Sequence, residues 1–491
     1  MVTRRQFVLG GAATAATAVL YNAHTARAAG PMAGHGSHTA HLLRAGSRLT
    51  TSPFSVQMPV PSVLRPTSST STTDYYDIAV KNGTEELVPG VSSGIFGYNG
   101  TFIGPTIRAW QGRQVVVRQT NSLDRPISTH LHGGHVSAAN DGHPMDVINP
   151  GGSKTYTYPN NQYAATLWYH DHAHHVEAEN LFKGLAGFYL ISSPDERALN
   201  LPRGPYEVPI MLRDVRMADD GTLNWVMDDF ANRTTILVNG RNQPYFPVQA
   251  RKYRFRFLNA SNLRPFGLGL ADGSTLTVIG ADQSLLPAPD DVTSFELWPG
   301  ERFDVVIDFS RYKVGDHVLL TNAMPFPNEG DAQKQLLRFD IVGTASDTSD
   351  VPDQLAPAPT LPAATNTRRI QFGPFDPPSG VMVIDGKTYD DTRIDQTVPL
   401  GATEIWEIYN ADTQYGLPHN FHIHLVHFKV LDRNGTPPPA AEQGWRDTVT
   451  VHPGETVRVQ ATFADYRGTF VYHCHLIDHA SMGMMAQFQV V

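Results

Sequence analysis

Four short stretches carry histidines in a pattern that could hold metal: "HLHGGH" from His130, "WYHDHAHH" ending at His175, "HNFHIH" from His419, and "FVYHCHLIDHASMGMM" from Phe470 to Met485. Within them His130 and His132, His170 and His172, His422 and His424, and His473 and His475 stand two positions apart. Residues i and i+2 of a β-strand face the same way, so each pair aims two imidazoles at one place. A lone histidine is more often a satisfied core or surface group, but chance does not explain four such pairs among 21 histidines. The last stretch also holds the only cysteine, Cys474, followed by His479 and Met484. A solitary buried cysteine is ordinarily inert, and only its neighbours give it chemistry. Two imidazoles, a thiolate and a weak thioether make the trigonal blue-copper site, with His419 as the second imidazole. Zinc, the usual partner of histidine-rich sites, has no use for the methionine and is the second reading.

Such groups need strands to aim them, and the chain repeats one strand pattern three times. "YNGTFIGPTIRAWQGRQVVVRQTN" closes on Asn121, "VNGRNQPYFPVQARKYRFRFLNAS" has its matching Asn259, and "IDGKTYDDTRIDQTVPLGATEIWEIYN" closes on Asn410. Each begins with an Asn-Gly or Asp-Gly turn, and the unit is 140 residues from Gly100 to Gly240 and 146 from Gly240 to Gly386. That is about one domain, so three related domains follow. Alternation in Gln114–Gln119, Tyr253–Leu258, Phe303–Asp308 and Val457–Phe463, between Gly, Pro and Asn turns, predicts β-sandwiches. Nine positions past the closing asparagine lie His130 and His419 in the outer repeats but Leu268 in the middle one. The middle domain is therefore expected to be a spacer without metal. The expected divisions are 53–195, 196–345 and 368–491, with a Pro/Ala/Ser/Thr-rich linker at 346–367.

A chain of 491 residues exceeds a single core. A formal charge of -9 excludes the basic face of a nucleic-acid binder. The first 28 residues, with Arg4, Arg5, an apolar run and an Ala-x-Ala pattern at Ala26 and Ala28, read as a cleavable twin-arginine export signal. The apolar run is short for a membrane anchor, and no later stretch could span a bilayer. Export predicts a periplasmic or extracellular protein. Residues 29–52, with His35, His38 and His41, read as a flexible lead-in, or alternatively as a weak copper-collecting tail.

Taken in order over the whole mature chain, the four motifs resemble those of the three-domain multicopper oxidases, the group of laccases, bilirubin oxidases, spore-coat laccases and cuprous oxidases. The resemblance implies an all-β fold of three consecutive cupredoxin-like Greek-key sandwiches and four copper ions. Type 1 copper takes His419, Cys474 and His479, with Met484 axial; type 2 takes His130 and His422; the type 3 pair takes His132, His170, His172, His424, His473 and His475. His135, His143, His174, His175 and His427 fall outside the motif positions. Asp141, in "NDGHP", matches an acid that the family holds near its three-copper cluster, although Asp-Gly is equally a turn signal. The chain departs from the family at Asn420, where proline is frequent. It departs again at Ala480, where bacterial laccases often have glutamate; Asp478 stands on the other side of His479.

The activity implied is one-electron oxidation of phenols and aromatic amines, delivered at the His479 edge, coupled to reduction of dioxygen to water. A cuprous-ion oxidase or a bilirubin or aminophenol oxidase is the alternative; 12 methionines are few for a cuprous specialist. A purely structural role fits badly with an intact set of histidines.

Overall fold

The computed structural model describes residues 52–326, 329–376 and 379–491. The export signal and nearly all of the lead-in lie outside them. Each repeat folds into a pair of packed sheets around its own core. The first sandwich places Thr73–Val88, Gln114–Asn121 and Ser153–Tyr158 in one sheet, and Gly104–Trp110, Ala186–Ser192, Ala165–Asp171 and Thr129–His132, in that order, in the other. The second packs a seven-stranded sheet on a five-stranded one, between Glu207 and Thr344. The third packs a four-stranded sheet on a five-stranded one that contains Met485–Val490, Gly468–Cys474, His419–Ile423 and Thr448–Val451 as neighbours. Separate apolar clusters fill the three interiors.

The repeated turn and the repeated asparagine each have a mechanical reason. Asn99–Gly100, Asn239–Gly240 and Asp385–Gly386 all take positive φ at both positions, between 48° and 76°. That backbone suits a tight hairpin, and Asn, Asp and Gly tolerate it best. Asn121, Asn259 and Asn410 are buried and make the same three bonds. Their Nδ2 groups donate to the carbonyls of Arg125 and Ile148, Arg264 and Leu297, and Leu417 and Val451 respectively, at 2.7 to 2.9 Å. Their Oδ1 atoms accept the backbone amide two residues on, at 2.9 Å. Each asparagine thus ties the end of its strand to the loop that follows it and to the backbone of a second, crossing segment.

Burial does not always follow the alternation of residue types. Lys252–Asn259 alternates Tyr253, Phe255 and Phe257 with Arg254 and Arg256, yet nearly all of it is buried. Its arginine face lies against the first sandwich and the short helix Pro194–Ala198 that follows it: Arg256 donates to Thr166 of the sandwich at 2.8 Å, and Arg254 to Glu196 of the helix at 2.7 Å. Helices are few and short: the longest among the described residues, Glu177–Lys183, has seven residues. It packs on another, Ile477–Ser481, from the third sandwich. No helix among the described residues is long and apolar enough to cross a membrane.

Candidate metal centre

The His-x-His pairs face one another through strand register. In the first sandwich His130 lies opposite His170, and in the third His422 lies opposite His473. The two sandwiches bring these four pairs together. His130 stacks on His424 with ring centres 3.7 Å apart, and His132 on His422 at 3.8 Å. His172 Nε2 and His473 Nε2 are 3.0 Å apart, and His170 meets His475 at 5.4 Å between ring centres. All eight are buried. His419 and Cys474 lie on the same two strands, but the pleat turns them to the opposite face. There Cys474 Sγ lies 3.5 Å from His419 Nδ1 and 3.8 Å from His479 Nδ1, and the two nitrogens are 3.2 Å apart. The backbone of Met484 closes the loop, accepting from the Cys474 amide and donating to the His479 carbonyl, both at 3.0 Å. Eleven of the twelve expected ligands therefore fall into two sets that share the tripeptide His473-Cys474-His475, and the backbone of Met484, the twelfth, borders the smaller one.

Hydrogen bonds fix which nitrogen is free in six of the eight rings. Nδ1–H donates to a carbonyl in His130 (to Asp141, 2.6 Å), His170 (to Asp171, 2.9 Å), His422 (to Asp447, 2.8 Å) and His473 (to Cys474, 3.0 Å). In His424 it donates to Asp141 Oδ2, at 2.7 Å. His132 is reversed: its Nε2–H donates to Asp447 Oδ1 at 2.8 Å, which leaves Nδ1 free. His132 Nδ1, His170 Nε2, His172 Nδ1, His424 Nε2 and both nitrogens of His475 are buried without a partner in the protein. Burial, with the neighbouring imidazoles, drives the pKa values of His132, His172, His424 and His475 well below the ordinary one, so these rings are neutral with lone pairs available. Burying so many unpaired acceptors side by side is unfavourable unless a cation joins them. Burial also pushes the Cys474 thiol up to about 12, so binding a metal there must displace its proton. The donors fit copper: imidazoles suit it in the larger set, and two imidazoles with a thiolate suit it in the smaller. Sets of three or more converging ligand groups among the described residues all come from the first and third sandwiches.

Several groups that complete the site carry no motif. Asp447 accepts from His132 and is held by Arg302 of the middle sandwich, with Nη1 to Oδ1 at 2.7 Å and Nη2 to Oδ2 at 2.5 Å. Asp412 Oδ2 accepts from His419 Nε2 at 2.5 Å. Gly300 has φ +86°, and a Cβ there would come within 2.7 Å of His475 Nδ1. Among the described residues the middle sandwich supplies no converging ligand, yet it forms part of the wall. Asp412 stands two residues past the closing Asn410, a spacing that flags it once the repeat is known; Asp447, Arg302 and Gly300 leave no comparable trace. Asp141 serves both expectations. It precedes Gly142 in a turn, and its buried carboxyl touches the cluster, with burial pushing it up to about 6. Asp478 faces away, saturated by Arg233 at 2.5 Å and by Asn262 and the Asp228 amide at 2.8 Å. His135, His143, His174, His175 and His427 join none of the converging sets among the described residues.

Family models described as multicopper oxidase match residues 79–196, 165–338 and 355–491. The chain is 36% identical to the bilirubin oxidase of Albifimbria verrucaria, over 96% of this chain and 88% of that protein. It is 32% identical to the laccase of Bacillus subtilis (strain 168), over 90% of this chain and 99% of the other. Among solved structures it resembles a laccase from Pediococcus acidilactici, with a TM-score of 0.84 and 32% identity over 90% of this chain and 95% of that one. The chain belongs to the multicopper oxidase family. It is an oxygen-using oxidoreductase built of three cupredoxin-like sandwiches.

Proposed function

We propose that the protein is an exported, laccase-like oxidase that removes single electrons from phenols and aromatic amines and reduces dioxygen to water with four copper ions. The observation that carries this reading is the shared tripeptide. Cys474 belongs to the smaller donor set while its neighbours His473 and His475 belong to the larger, so a few covalent bonds link the two centres. Copper bound there supplies one-electron chemistry at the thiolate set and dioxygen chemistry at the eight-histidine set. Of the thiolate set's four residues, His479 alone reaches solvent, at 4% exposure against 0% for His419, Cys474 and Met484, which makes it the place where a reductant delivers its electron. An edge that asks only for proximity suits many small aromatic reductants. Asp141, held on His424 and His130, is the acid placed to hand protons to the larger set. Asp478, bound to Arg233, instead joins the middle sandwich to the helix that bears His479.

The likeness to a bilirubin oxidase favours a second reading in which a tetrapyrrole or aminophenol is the reductant. Half-buried Met482, two residues before Met484, supports cuprous ion as a third. Copper-loaded protein assayed for oxygen uptake with a phenol, an aromatic amine, bilirubin and cuprous ion in turn separates them. Absence of both blue absorption and oxygen uptake with every reductant would end the oxidase reading; uptake with cuprous ion alone would make copper the substrate. The Arg4 and Arg5 pair supports export, which cell fractionation of an Arg4→Lys, Arg5→Lys double variant tests: retention in the cytoplasm is expected.

A further inference from the structure

Reducing one dioxygen to two waters takes four electrons and four protons. Oxidised phenols release protons at the surface, whereas the eight histidines are at most 1% exposed, so protons need their own way in. Resting on the oxidase reading, we propose that Glu177 of the first sandwich is a proton carrier for dioxygen reduction, serving the turn where the third sandwich has Ala480. Glu177 opens the helix Glu177–Lys183 and is fully buried. Its Oε1 accepts from the Ser481 hydroxyl at 2.8 Å, across the junction with the helix that carries His479 and Ala480. Its Oε2 has no partner in the protein.

The surroundings suit a carrier rather than a clamp. Among the described residues the one basic group within ion-pair distance is His174, at 4.0 Å, so no strong cation holds Glu177 in its charged form. Burial pushes Glu177 up to about 8, the Asp171 charge adds to the rise, and the Ser481 hydroxyl and two backbone amides oppose it. At neutral pH it holds a proton that it can release. On the inner side, Asp171 accepts from His170 through its carbonyl, and His172 lies five residues before Glu177. On the outer side, the half-buried ring of His174 meets Tyr389 at 4.7 Å and exposed His175 at 3.8 Å. Glu177 Oε2, His174 Nδ1 and Tyr389 Oη are three buried polar atoms without a protein partner around this point, and such groups are typically bridged by water. The titratable groups facing Glu177 are thus Asp171 and His174 from its own domain and Tyr389 from the third; Ser481 adds a neutral hydroxyl. The balance is simple: the carboxyl gives its proton inward and takes one back from the solvent side, with no net change.

Glu177→Gln keeps the shape and the acceptor for Ser481 but cannot ionise. Infrared difference spectra against pH, on metal-free and copper-loaded wild type, are expected to show a buried carboxyl C=O band lost with a midpoint near pH 8 and absent from the variant. In the loaded variant, oxygen uptake should fall by about tenfold to a hundredfold, with anaerobic reduction of the blue centre by a phenol unchanged and a larger solvent deuterium effect. Glu177→Asp should restore part of the rate. Full oxygen uptake by Glu177→Gln, or no titrating carboxyl band in wild type, overturns the proposal and leaves the oxidase reading standing. Loss of the blue spectrum along with the rate, in both Glu177→Gln and Ser481→Ala, makes Glu177 a structural tie and also overturns it. Failure of the oxidase reading would show differently, as no uptake by wild type.

Discussion

Arg302 and Asp447 form a two-pronged ion pair between the middle and third sandwiches, at 2.7 and 2.5 Å, and the same Asp447 receives the Nε2–H of His132 from the first. One carboxylate thus joins all three domains and decides which nitrogen of His132 is free. Asp447→Asn would leave the fully buried Arg302 guanidinium with only the more distant Asp282 carboxylate, at 3.6 Å, as its charge partner, and His132 without its charged acceptor. The expected cost is about 3–5 kcal/mol, with copper lost from the eight-histidine set and blue absorption retained. Denaturation curves and metal analysis check it; a stable variant with full copper content would contradict the assignment.

Gly300→Ala should damage the same set through sterics. A Cβ 2.7 Å from His475 Nδ1, on a backbone at φ +86°, must displace either the ring or the turn. Roughly 1–3 kcal/mol of destabilisation is expected, with oxygen uptake impaired. A melting curve identical to wild type would show that the turn yields freely.

Cys474→Ser removes the soft donor from the smaller set. Blue absorption and phenol oxidation should disappear together, because serine is a poor ligand there, while the histidine cluster keeps its copper. Persistence of the colour would refute the assignment of Cys474.

Asp412 holds His419 through its Nε2–H, at 2.5 Å. A carboxylate there makes the imidazole a stronger donor and favours the more highly charged metal state. Asp412→Asn should therefore shift the reduction potential of the blue centre upward, which a redox titration followed at the blue band would measure. A downward shift would contradict this electrostatic role.

The raised pKa of Glu177 also affects stability. The unfolded carboxyl titrates near its ordinary 4.5 and the folded one near 8, so between these values the folded chain holds a proton that the unfolded chain has released. Stability of the metal-free protein then falls as pH rises through this window, by on the order of 1.4 kcal/mol per unit from this group. Glu177→Gln should flatten the fall by that amount; parallel curves for the two proteins would show that Glu177 does not titrate there.

Much of this architecture is written in local patterns. Asn121, Asn259 and Asn410 mark the same strand end because a side-chain amide must serve two crossing carbonyls there, and His-x-His marks a strand face because the pleat has period two. What stayed invisible depends on pairs brought together only by tertiary folding. His132 and Asp447 are 315 positions apart, and Glu177 and Ser481 are 304 apart. Reading the middle domain as a spacer from its missing histidines cannot catch Gly300, whose contribution is the side chain it lacks, or Arg302, whose carboxylate partner lies in another domain.

His172 and His473 face each other at 3.0 Å from sites 301 positions apart. An incomplete chain, or one with its end domains apart, holds only half-sites in the larger cluster. Tight metal uptake there becomes a report on whole-chain integrity, so copper content per molecule would grade a preparation for correctly assembled protein before any substrate is added.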